Sequence, residues 1–115
     1  MPTRRVREDK KLPTRSYSSK QEKQIAKTFE GTCTSNSGAT PYQPGDVYLD
    51  DYLIECKTRM THCDSITIKK EWLDKIRKEA LFVGKPKEAL FFNFGPDESN
   101  YVILHEDVFK ELIEG

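Results

Sequence analysis

The chain has 115 residues, with 19 basic and 19 acidic side chains, and 36% of it is hydrophobic, including six Phe, five Tyr and one Trp. That suffices for the core of one domain, and no apolar run approaches the roughly 20 residues of a membrane span. The opening MPTRRVREDKKLPTR is basic with no apolar segment behind it, so no secretory leader is expected.

The balanced charge hides an asymmetry. Residues 1–15 carry six Lys/Arg against two Asp/Glu, which leaves 13 against 17 for residues 16–115. A basic arm ahead of an acidic domain suits a polyanionic partner; a solvated disordered tail has the same composition. Residues 1–15 are expected to be disordered and residues 16–115 to form a single domain. Cys33, Cys56 and Cys63 are an odd set without CxxC or HxxxH spacing, which favours a reducing compartment over disulfides or zinc.

In chain order, a helix is predicted from about Ser18 or Ser19 to Glu30, with Ile25, Ala26 and Phe29 as its apolar stripe and Gly31 as its stop. Residues 31–45 are rich in Ser, Thr, Gly and Pro and read as loop, with room for a short strand at Thr32–Thr34. Strands follow at Asp46–Leu49 and Tyr52–Thr58, turning at Asp50-Asp51. A second helix is predicted from about Ile68 to Val83, because Ile68, Trp72, Ile76, Ala80 and Val83 recur at helical spacing and Gly84 and Pro86 end it. ALFFNF, apolar on both faces, reads as a central strand, GPDESN as a turn and YVIL as a further strand. EDVFKELIE reads as a short helix with acids at its start, where the dipole favours them. This order gives an α/β fold, an α-β-α sandwich around a central mixed β-sheet.

A buried-looking strand that carries a carboxylate and ends on a lysine, LIECK, needs an explanation, since an unpaired buried charge costs several kcal/mol. Alternation places Leu53, Glu55 and Lys57 on one face and Ile54 and Cys56 on the other. A two-residue turn at Asp50-Asp51 pairs Tyr48 with Leu53, Val47 with Ile54 and Asp46 with Glu55. Facing residues have Cβ atoms about 4.5–5.5 Å apart, so Asp46 and Glu55 repel unless a cation joins them. Oxygen ligands with room for water suit Mg²⁺ or Mn²⁺. Lys57, on the same face, is placed to orient a water or to stabilise charge on a phosphate oxygen. A longer loop would shift the register and bring in Asp50 or Asp51 instead. On the first helix, Glu22 shares the inward stripe of Ile25 and Ala26; it serves either as a further acid or as the end of a capping box begun by Ser19.

These residues resemble a known family. PGD, eight residues and then ECK, after a helix with an inward Glu, resembles the PD-(D/E)XK nuclease superfamily, here with Gly45 inserted between Pro44 and Asp46. The pattern SNSGA…PGDV…LIECK is most similar to phage and archaeal Holliday-junction resolvases, over about residues 16–110. The resemblance implies a restriction-endonuclease-like fold and a Mg²⁺- or Mn²⁺-dependent DNA endonuclease. It implies metal ligation by Asp46 and Glu55 with Glu22 as a further acid, Lys57 as the catalytic lysine, and Ser37 near the scissile phosphate. It also implies a homodimer, because a four-way junction offers two symmetric strands to cut, and the cytoplasm of a bacterial or phage-infected cell.

A junction is recognised by shape, so phosphate-binding groups carry the DNA contact. The candidates are Arg4, Arg5, Arg7, Lys10 and Lys11 in the arm, Lys20 and Lys23 on the first helix, and Lys69 and Lys70 at the start of the second. Trp72 fits the core stripe and is not assigned to base stacking. Two rivals remain: another structure-selective, nicking or restriction-like nuclease of the same chemistry, and a non-catalytic DNA-binding module on a nuclease-like scaffold.

Overall fold

Side-chain alternation in one strand sorts the molecule into layers. The structure is a computed structural model that describes residues 14–34 and 45–115. Its elements are α1 Thr14–Phe29, β1 Thr32–Cys33, β2 Val47–Tyr48, β3 Tyr52–Lys57, α2 Lys70–Phe82, β4 Lys87–Phe92, β5 Tyr101–Ile103 and α3 Glu106–Glu114. The strands form one five-stranded sheet in the order β1-β2-β3-β4-β5. β3 and β4 run parallel while every other neighbouring pair is antiparallel, so the sheet is mixed. The parallel pair needs a crossover, and α2 supplies it.

Odd-numbered Leu53 is buried with Ile76 and Ala80 of α2, flanked by Tyr48 and Val83. Even-numbered Ile54 and Cys56 are buried with Ile25 of α1, Val47, Ala89 and Phe91. The two helices therefore cover opposite faces of the sheet. α3 lies on the α1 side, where Leu112 shares an apolar groove with Phe29, Tyr52 and Phe91. ALFFNF is central, as its composition demands: Ala89, Leu90 and Phe91 are buried. YVIL and the last helix are not core to the same degree. Tyr101 and Val102 on the edge strand, and Phe109, Leu112 and Ile113 on α3, stay exposed, and α3 buries only Val108.

The expected hairpin register is present: Val47 pairs with Ile54 and Tyr48 with Leu53 across the Asp50-Asp51 turn, closed by the Leu49 N–H donating to the Tyr52 carbonyl at 3.0 Å.

Several boundaries differ from the sequence reading, among them β2, expected at Asp46–Leu49 and found at Val47–Tyr48, and β4, expected over ALFFNF and found at Lys87–Phe92. α1 begins at Thr14, not at Ser18 or Ser19, so residues 14 and 15 are helical rather than part of a disordered arm. The remainder of that arm, residues 1–13, lies outside the described residues. At the other end of α1, Glu30 takes the left-handed conformation (φ 58°) that usually falls to the glycine. Gly31 is needed for a different reason: a Cβ there would sit 2.4 Å from Leu49 Cδ2 and 2.8 Å from the Tyr48 carbonyl oxygen. Finally, α2 starts at Lys70 rather than Ile68, with Lys69 extended ahead of it and no side-chain cap. Gly84 does end α2 in the left-handed region (φ 78°). No helix among the described residues is long and apolar enough to cross a membrane.

A candidate active site where β2 and β3 part

The regular β2 ladder begins only at Val47, so Asp46 stands just outside it. Its backbone is still anchored: the Asp46 N–H donates to the Ile54 carbonyl and its carbonyl accepts from Thr34, both at 2.9 Å. Gly45 enters this turn with φ 75° and leaves no room for a side chain, since a Cβ would lie 2.3 Å from Leu53 Cδ1. The Thr34 hydroxyl donates to the Gly45 carbonyl at 2.6 Å. The Asp46 backbone is thus held at the end of the sheet ladder, between the segments that carry Thr34 and Ile54. Asp46 Oδ2 accepts the backbone N–H of Cys56 at 2.8 Å.

Glu22 reaches the same point from α1. It is buried, eight residues into its helix, and its carboxyl lies close enough to Asp46 for that acid to oppose its ionisation. The capping-box alternative is therefore excluded, because the helix begins five residues before Ser19. Glu55 approaches from the α2 face of β3, with its side chain 16% exposed and Oε2 3.8 Å from Lys57 Nζ.

The electrostatics of the acids follow from this layout. Burial pushes the Glu22 carboxyl up to about 7, and the charges of Asp46 and Glu55 add to the rise. Burial likewise pushes Glu55 up to about 7, with Asp46 adding and Lys75 and Lys57 opposing. Asp46 is also raised by burial, but its bond from Cys56 and the nearby Lys57 and Lys75 counter the effect. A charge on Asp46 thus opposes ionisation of both glutamates, on top of the larger effect of burial. The Cys56 thiol, buried among them, is driven far up and stays protonated. Burial also raises Cys33. All three cysteines are free.

Strand register alone would set Asp46 opposite Glu55. That pairing is corrected: Asp46 turns across the strand end to the Cys56 N–H and to Glu22, and meets Glu55 as a repelling neighbour. Among the described residues, no group of three or more His, Cys, Asp or Glu side chains converges closely enough to hold a metal ion. Mg²⁺ asks for less, since one or two carboxylates with waters and substrate phosphates hold it. The donor set suits such a cation: all-oxygen, mutually repelling, and accompanied by a buried Glu79 oxygen, Oε1, that has no hydrogen-bond partner. Asp46 with Glu55 or Glu22 would hold the ion.

α2 contributes groups that the sequence reading missed. Lys75 is 3.4 Å from Glu79. Burial opposes the Lys75 charge, but Glu55 and Glu79 prevail and raise its pKa. In sequence this is an ordinary i,i+4 pair on a solvated helix face, without a signal that it faces an acid cluster. Trp72, expected in the core, is half-buried beside the site, with the Lys57 ammonium 4.5 Å from its ring centroid. Gln21 is buried and donates to Asn100 at 3.0 Å and to the Lys57 carbonyl at 3.3 Å, tying α1 to the end of β3.

The remaining candidates are dispersed. Ser37 lies outside the described residues, as do Arg4, Arg5, Arg7, Lys10 and Lys11. Lys20 is exposed and pairs with Asp97 at 2.6 Å. It lines an open groove with Lys23 and Lys27. Lys69 is exposed, and Lys70 pairs with Asp74 at 2.9 Å.

No family model matches the chain, nor does any curated protein or solved structure.

Proposed function

We propose that the chain is a Mg²⁺- or Mn²⁺-dependent DNA endonuclease of the PD-(D/E)XK type, on a restriction-endonuclease-like fold, acting on four-way junctions. The observation that supports the reading is that Asp46, just ahead of β2, has Glu22 of α1 near it on one side and Glu55 of β3 on the other, with Lys57 3.8 Å from Glu55. An acid cluster held at neutral pH against burial and mutual repulsion is costly to stability, which favours a functional role.

In this reading Asp46 with either Glu55 or Glu22 would hold the cation. When bound, the ion supplies Lewis-acid polarisation of the phosphate and activation of water. Asp46 is kept in place by the Cys56 N–H, so its carboxylate presents a fixed oxygen. Glu22 and Glu55, with pKa values near 7, take up or release protons as the cation leaves or arrives. Lys57 supplies positive charge where a phosphate oxygen gains negative charge. The lysines at 20, 23 and 27 on one side, with Lys69 and Lys70 at the start of α2, offer phosphate contacts that carry no sequence information.

A four-way junction presents two equivalent strands, so the reading includes a homodimer. The apolar side chains left exposed on β5 and α3 are where the second copy is expected to pack.

The test is cleavage by purified protein, with Mg²⁺, of a labelled four-way junction, a matching duplex and a single strand. Paired symmetric incisions confined to the junction support the proposal. Equal cutting of the duplex would favour a nicking or restriction-like enzyme, and binding without any cutting would favour a non-catalytic DNA-binding module.

A further inference from the structure

Lys57 is the last residue of β3, and among the described residues its ammonium has an ion-pair neighbour and a ring neighbour. Two neighbours compete for it. Glu55 Oε2 is 3.8 Å from Nζ, longer than a charge-assisted hydrogen bond. The Trp72 ring centroid is 4.5 Å from Nζ, inside the range where an aromatic face attracts a cation. The Lys57 side chain is one-third exposed, so the ring acts on a partly desolvated charge. Trp72 is in turn fixed by α2, one turn ahead of the buried Ile76 and two ahead of Ala80.

The consequence is chemical. An ammonium drawn fully onto Glu55 would neutralise an acid that the cation needs and would turn away from the phosphate. An ammonium held against the indole leaves Glu55 available and keeps its own positive charge at the mouth of the acid cluster. We propose that Trp72 is a positioning residue, whose indole face holds the Lys57 ammonium off Glu55 and toward the substrate phosphate. This inference rests on the nuclease reading for its purpose and on the Lys57–Trp72 contact for its geometry, and the two are tested apart.

The contact is read by NMR on protein labelled with ¹³C-lysine, without metal or DNA. Lys57 ε-CH₂ protons above an indole face resonate upfield of the other lysines. Lys57→Arg identifies the signal by removing it. Trp72→Leu is expected to return it to the common lysine position. Trp72 is the sole tryptophan, so Lys57→Met is also expected to shift the intrinsic fluorescence of the otherwise unchanged protein.

The role is read by single-turnover cleavage of a four-way junction. Trp72→Leu is expected to lower the rate at saturating DNA about 10-fold with little change in the half-saturating concentration, and Trp72→Phe, which keeps an aromatic face, to recover most of it. An unshifted Lys57 signal in the parent protein overturns the inference even if cleavage is robust. Equal losses in the Leu and Phe variants overturn it too, because only the ring distinguishes them. If the parent protein cuts nothing while the upfield signal is present, the nuclease reading and the proposed purpose fall and only the contact is supported.

Discussion

The Asp46 carboxylate accepts the backbone N–H of Cys56 at 2.8 Å, across the point where β2 and β3 separate. That bond does two things. It satisfies a buried donor that the shortened β2 ladder leaves unpaired, and it fixes the Asp46 carboxylate at a place that Glu22 reaches from one face and Glu55 from the other. Asp46→Asn keeps an oxygen acceptor and should preserve the fold to within about 1 kcal/mol, whereas Asp46→Ala should cost about 1–3 kcal/mol by leaving the donor bare. Urea unfolding of the two variants measures the difference, and both should lose metal-dependent cleavage.

The glutamates make stability depend on pH in a definite direction. Glu22 and Glu55 titrate near 7 in the fold against an ordinary 4.5. Between those values the folded chain binds more protons than the unfolded one, so these groups lower stability as pH rises through the window. Their contribution is fully favourable below about pH 4.5 and lost above about pH 7. Glu55→Gln should therefore stabilise the protein by about 1–3 kcal/mol at pH 8 and have little effect at pH 4.5. Chemical denaturation at the two pH values checks the sign.

A cation that relieves the same repulsion should stabilise the fold. Saturating Mn²⁺ is expected to raise the melting temperature by a few degrees at pH 8, and by less at pH 5.5, where protons occupy the carboxyls. Asp46→Asn combined with Glu55→Gln should abolish the shift. Differential scanning calorimetry with and without EDTA distinguishes this from a general salt effect.

Gly31→Ala should destabilise the protein by about 1–3 kcal/mol, since its Cβ would overlap both Leu49 and the Tyr48 carbonyl. Glu30→Gly should be neutral or mildly stabilising, because it removes the left-handed strain from a non-glycine residue. Thermal melts of the pair separate close approach from backbone conformation as the reason for the glycine.

The layers and the hairpin were legible because they follow from period. Alternation put Leu53 on one face and Ile54 and Cys56 on the other, without saying which helix covers which, and the Asp50-Asp51 turn set the register that pairs Val47 with Ile54. The helical repeat of Ile76 and Ala80 marked the inner face of α2. The site was legible only in part. Glu22, Asp46, Glu55 and Lys57 could be named because charges in strand and core positions demand a reason. The direction of the Asp46 carboxylate was hidden, since it depends on where the ladder stops rather than on parity. Trp72 was hidden by its resemblance to core, and Lys75 and Glu79 by their resemblance to a solvated helical pair. The start of α1 was missed because Thr14–Tyr17 carry no apolar stripe, so periodicity had nothing to report there.

The central claim is that the acids and Lys57 form a hydrolytic centre for DNA. The most direct measurement is Mg²⁺-dependent cleavage of a labelled four-way junction by the parent protein, Glu55→Gln and Lys57→Met, with folding of each confirmed by circular dichroism. The account predicts cutting by the parent that EDTA stops, and a loss of about 100-fold or more in each variant. Parent-level cutting by a folded Glu55→Gln protein, or no cutting by the parent with Mg²⁺ or Mn²⁺, would contradict it.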